Sequence, residues 1–71
     1  MKRKYTLRFE ASREKWILKN DASEKVLKVF DTKEDATRAG ALRKALGREG
    51  GTVTVRTRTG VFEEERNFSR S

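Results

Sequence analysis

The chain has 71 residues, enough for one small domain, and a domain of that size buries only about 60% of the surface its unfolded chain exposes. It contains no cysteine and no histidine, which excludes disulfides, thiol or imidazole catalysis and the common zinc sites, so neither a metal nor a cofactor is expected. Eighteen Lys+Arg against eleven Asp+Glu give a formal charge of +7, a field that favours anionic partners: nucleic acid, acidic protein or lipid headgroups.

The chain opens with a basic arm, Met1-Lys-Arg-Lys4, without the apolar segment of a signal peptide behind it. No stretch approaches the roughly 20 apolar residues of a membrane helix. With cysteine absent as well, the expected compartment is the cytoplasm. Tyr5, Leu7 and Phe9 alternate with Thr6, Arg8 and Glu10, the period of a half-buried strand. After the polar break at residues 11–14, Lys15 to Lys19 form a second strand. Trp16 and Leu18 lie on one side of it, and Lys15, Ile17 and Lys19 on the other. Asn20 and Asp21 carry turn chemistry, and Lys25 to Phe30 follow as a third strand.

The period then changes. Thr32-Lys-Glu-Asp35 reads as a helix start, with Thr32 as N-cap. Ala36, Ala39, Leu42 and Leu46 make one apolar helical stripe, so a helix is predicted over about 33–46. Gly47 or the Gly50-Gly51 pair ends it. From Gly51 the period returns to two. Val53 and Val55 face one way, and Thr54, Arg56 and Arg58 the other. Thr59-Gly60 forms a hairpin turn, and residues 61–68 return with Phe62 and Phe68 on one parity. A short tail, 69–71, is expected to fray. The prediction is a single α+β domain spanning 1–71: an antiparallel sheet in β-β-β-α-β-β order with one helix on its apolar face.

Four features in this order resemble a small prokaryotic and phage family, domain-of-unknown-function family 2188. They are Trp16-Ile-Leu18, Val29-Phe-Asp-Thr-Lys-Glu-Asp-Ala36, the Gly50-Gly51 exit and the hairpin Val53 to Val61. The resemblance covers about residues 15–68 and implies a fold without an activity. Leu18 stands where the family usually has valine, Thr59 where aspartate precedes Gly60, and Gly40 where alanine is commoner. A weaker resemblance is to the AP2-like arm-binding domains at the N-termini of phage-type integrases, in which a three-stranded sheet enters the DNA major groove with a helix behind it.

The catalytic repertoire is thin. Ser12, Ser23, Ser69 and Ser71 fall in turns or the tail, without a nucleophile elbow. Glu63 and Glu65 share a parity, and paired carboxylates can do acid–base work, but on a terminal strand they read as edge protection. Gly47-Arg-Glu-Gly50-Gly51 lies at a helix C-terminus, the wrong polarity for a phosphate loop. Tyr5, Phe9, Trp16, Phe30, Phe62 and Phe68 are large enough to make most of a small core, Trp16 and Phe30 foremost; any that are exposed, with Tyr5 and Phe68 near the termini the first candidates, could stack on bases instead.

The basic residues remain. Residues 1–30 hold nine Lys/Arg and four Asp/Glu, whereas 31–50 and 51–71 are each only +1. If the valine and aromatic rows face the helix, Arg8, Lys15, Lys19, Arg56 and Arg58 lie on the open sheet face, and Lys2, Arg3 and Lys4 add a flexible arm. A basic sheet can lie along a duplex, its cations contacting phosphates. The expectation is therefore a non-enzymatic nucleic-acid-binding domain, with duplex DNA as the favoured partner. No catalytic residue, small-molecule substrate or membrane partner is expected. The alternative is a homo-oligomeric protein-interaction or regulatory module without nucleic-acid binding, and a homodimer is compatible with either reading.

Overall fold

A computed structural model describes residues 3–69. Five strands, β1 (Lys4–Glu10), β2 (Lys15–Asn20), β3 (Val26–Phe30), β4 (Gly51–Arg56) and β5 (Phe62–Phe68), form one sheet in the order β3-β2-β1-β4-β5. The first three strands make the expected antiparallel meander. The sheet is mixed, however, not antiparallel throughout, because β4 pairs parallel to β1. The geometry follows from the connection. A helical crossover leaves the end of β3 and returns the chain to the starting end of the sheet. The next strand must then run in the direction of β1, whose second edge is free.

The expected single helix is two short ones, α1 (Lys33–Thr37) and α2 (Ala41–Leu46), followed by a 3-10 turn at Gly47–Glu49. The break lies where Arg38 adopts φ −56°, ψ 147° and Gly40 adopts φ 84°. That left-handed position suits glycine. Ala39, placed in the apolar stripe by spacing alone, is consequently exposed. The start is as expected: the Thr32 hydroxyl accepts a hydrogen bond from the Asp35 N–H at 3.0 Å.

Ala36, Leu42 and Leu46 from the two helices close on Tyr5, Leu7, Trp16, Leu18, Val53 and Val55. Phe9, Phe30, Ala45 and Phe68 pack around this cluster, so five of the six aromatics belong to the covered face. The opposite sheet face carries no helix. Among the described residues no helix is long and apolar enough to cross a membrane.

The ends of the fold are tied down more closely than their composition suggests. The Arg3 carbonyl accepts a hydrogen bond from the Thr52 N–H at 2.8 Å, and Lys4 opens β1, so the basic arm does not include these two as free residues. Lys2 lies outside the described residues. At the other end the Ser69 carbonyl accepts from the Arg43 guanidinium, which holds that residue against α2; residues 70–71 lie outside the described range.

Gly51 makes the tie at the first end. Its φ is 140°, and a Cβ there would stand 2.7 Å from the Arg3 carbonyl oxygen and 2.9 Å from the Tyr5 ring. Gly51→Ala is expected to cost about 3 kcal/mol by combined strain and overpacking, read as a lower urea midpoint at unchanged slope.

Candidate nucleic-acid interface

Strand alternation sends Tyr5, Leu7, Trp16, Leu18, Val53 and Val55 to the helices. It therefore sends Lys4, Thr6, Arg8 and Glu10 of β1, Lys15, Ile17 and Lys19 of β2, and Thr52, Thr54 and Arg56 of β4 to the open face. The register aligns these into rungs. Arg8 stands across from Ile17, and Ile17 across from Val29. The pairing of β1 with β4 ends at Leu7 and Val55; Arg8 and Arg56 are the next residues on their two strands, and Arg56 stands across from Phe62. One rung thus reads Val29, Ile17, Arg8, Arg56, Phe62 from edge to edge. A neighbouring rung carries Val26, Lys19, Thr6, Thr54 and Glu65.

Five of the eight expected contact residues, Lys4, Arg8, Lys15, Lys19 and Arg56, share this face. Arg58 does not. The strand ends at Arg56, and in the turn that follows the Arg58 guanidinium lies over the Phe9 ring, 4.6 Å from its centroid. Phe9 belongs to the covered face and meets Trp16 edge-on at 5.6 Å, so the stacking draws Arg58 away from the open side. Alternation beyond the last paired residue carries no information about facing.

The cations on the open face differ in what holds them. Lys15 is ion-paired with Asp31. The Arg56 guanidinium donates to the Gly60 carbonyl at 3.0 Å, which fixes its side chain while leaving its charge unpaired among the described residues. Arg8 and Lys19 make no ion pair among the described residues. They line a shallow depression with Thr6, Asn20, Asp21 and Glu24. There the Thr6 hydroxyl donates to the Asp21 carboxylate at 2.7 Å. Asp21 and Glu24 border that depression, and Glu10 and Glu65 are the acidic residues on the strands of the face; Glu10 is engaged by Arg13 at 3.7 Å.

Two features of the face go beyond the pattern of the sequence. Ile17 is only 2% exposed although no helix covers it. Arg8 and Val29 flank it, and Lys15 and Lys19 lie two residues away along β2. The aliphatic stems of such side chains can shelter an apolar neighbour while their charged heads stay in water. The shared parity of Ile17 with two lysines was the available signal. The second feature is a β-bulge between Val55 and Arg56, which shifts the pairing so that Val55 meets Glu64 but Arg56 meets Phe62. Phe62 and Phe68, of one parity in sequence, consequently face opposite sides. Phe68 packs on the core, and Phe62, 58% exposed, sits on the basic rung. The same bulge separates Glu63 from Glu65. Glu63 ion-pairs with Lys33 of α1, while Glu65 stands across from Thr54 on the open face. They therefore form no carboxylate pair. Among the described residues no three acidic side chains gather closely enough to hold a metal ion.

These elements define a small α+β domain whose mixed five-stranded sheet is covered by helices on one face and left open and basic on the other. Within that class the chain belongs to the family described as "Uncharacterized protein conserved in bacteria (DUF2188)", whose model matches residues 5–68. The match begins at Tyr5 and so takes in β1, the central strand, as well as the segment from Trp16 onward. Comparison with curated proteins and with solved structures returned no match.

Ile17→Ala should leave a cavity under the basic side chains and lower stability by about 2 kcal/mol, measured by urea unfolding. An exposed isoleucine would give a change near zero in the same measurement.

Proposed function

We propose that this is a non-enzymatic, basic domain that binds nucleic acid, duplex DNA before RNA, through the open face of its sheet. The observation that carries the proposal is that Arg8 and Arg56 each follow the last paired residues, Leu7 and Val55, of neighbouring strands, with Lys4 and Lys19 on the same face. None of these four is ion-paired among the described residues. Their charges are available to phosphates, and every neutralised phosphate releases condensed counterions. Lys15, already joined to Asp31, is a weaker contributor. Thr6 and Thr54 offer hydroxyls between the cations, groups suited to phosphate and sugar oxygens. Phe62 at the end of the rung is an exposed ring able to stack on an unpaired base.

Duplex DNA is preferred because a twisted sheet presents a broad surface that a groove can accept, as β-sheet readers do. Sequence discrimination is weak unless an arginine reaches base edges, and Arg56, held by the Gly60 carbonyl, is oriented for one fixed direction of approach.

The test is a salt series with a short mixed-sequence duplex. Four phosphate contacts predict a slope of log K against log salt of about −3.6, or roughly a hundredfold loss between 50 and 200 mM salt. Arg8→Ala and Arg56→Ala should each weaken binding and flatten the slope by about 0.9, while Arg58→Ala should leave it unchanged. A salt-independent affinity, or no binding below about 100 µM, overturns the proposal.

A further inference from the structure

The two edges of the sheet are unlike. β5 carries Glu63, Glu64 and Glu65 together with the bulge, features that discourage pairing with a further strand. β3 carries neither. Val26, Leu27 and Val29 are 41%, 39% and 43% exposed, and no strand lies beyond β3 among the described residues. In an antiparallel edge strand alternate N–H and C=O groups point away from the sheet, so β3 presents main-chain partners flanked by apolar side chains.

Apolar surface lies on both sides of this edge. On the open face Val26 and Val29 stand beside Lys19 and Ile17. On the helix side a groove between β3 and α2 is lined by Leu27, Phe30, Ala41 and Ala45, with Lys28 and Lys44 as its charged members. A strand added to β3 would send alternate side chains to the two sides. One row would cover the valines, and the other would enter the groove between the lysines.

We infer that the β3 edge is a docking site for an extended peptide segment of alternating acidic and apolar residues, contributed by another protein and added as a sixth strand. Charge complementarity selects this occupant. Lys25 and Lys28 belong to or adjoin β3, and both are exposed, as is Lys44 on α2. The nearby Asp31 is taken up by Lys15. A second copy of the chain is a poor occupant. Pairing β3 with β3 across a two-fold axis would crowd two sets of Lys25 and Lys28 into one five-residue ladder, between molecules each of charge +7. Pairing β3 with a neighbour's β5 is handicapped because Glu63 and Glu64 are already engaged by Lys33 and Arg66. The docking edge shares Val26 and Val29 with the open face but includes neither Arg8 nor Arg56, so this inference does not depend on nucleic-acid binding.

The test uses the full chain, isotopically labelled for NMR, and an acetylated, amidated ten-residue peptide of alternating Glu and Val. Saturable shifts and slowed amide exchange are expected at residues 26–30, with shifts at Ala41 and Ala45. The double variant Lys28→Glu/Lys44→Glu changes two exposed side chains and should weaken binding about tenfold or more. A Lys–Val peptide of the same length should not bind. Leu27→Glu provides an independent arm with the same expected loss. Shifts centred on Arg8 and Arg56, equal binding by the double variant, no saturable binding up to millimolar peptide, or a β3-mediated dimer in sedimentation equilibrium overturns the inference.

Discussion

Leu7 has no exposed surface, and the strands on either side place Leu18 and Val55 directly across from it. The rest of the domain is arranged around that contact. It sets β1 at the centre of the sheet, joined antiparallel to one half and parallel to the other. It also fixes which face the helices must cover. A chain of this length can close one apolar layer, and α1 and α2 supply only three buried side chains, Ala36, Leu42 and Leu46, to do so. The second face is left to side chains that tolerate water. The basic surface is thus a by-product of a small core as well as a candidate interface.

This division explains why the open face is not uniformly polar. Ile17 stays dry among longer neighbours, so the cations beside it serve two ends, shielding an apolar residue and presenting charge. Threonines on β1 and β4 occupy the middle of the face, where their branched side chains suit a strand. The covered side shows the complementary economy in its fringe. Lys33 reaches over Trp16, and Arg58 lies over Phe9, so positive side chains cap aromatic rings where the helices stop short.

Much of this was legible in the residues. The period-two runs located all five strands, the valine and aromatic rows identified the covered face, and Thr32 marked the helix start. What escaped depended on information that single strands do not contain. The direction of β4 relative to β1 depends on where the crossover lands, and both outcomes satisfy the same alternation. The helix break is carried by one glycine, Gly40, whose conformation is not determined by its identity alone. The bulge beside Arg56 inverted the facing of Phe62 relative to Phe68, and no residue at that site announces it. Arg58 was misplaced for a related reason, since it lies beyond the last paired residue of its strand. Four cations of the candidate site were therefore readable as a group, along with the salt-bridged Lys15 and the position of Ile17 among them, whereas the burial of Ile17 and the arrival of Phe62 on the same face were not.

The parallel pairing of β1 with β4 has a kinetic consequence. The meander of β1, β2 and β3 is local in sequence, but the contact between Leu7 and Val55 closes a loop spanning most of the chain. Closing it sacrifices chain entropy before the central layer is complete. Folding is therefore expected to be slower than in helical domains of equal size, with the meander forming early and the core sealing late. During synthesis β1 must wait, with one edge unpaired and half of its apolar neighbours missing, until residues 51–56 have left the ribosome. In that interval its exposed edge is the segment most open to capture by chaperones or by another nascent chain.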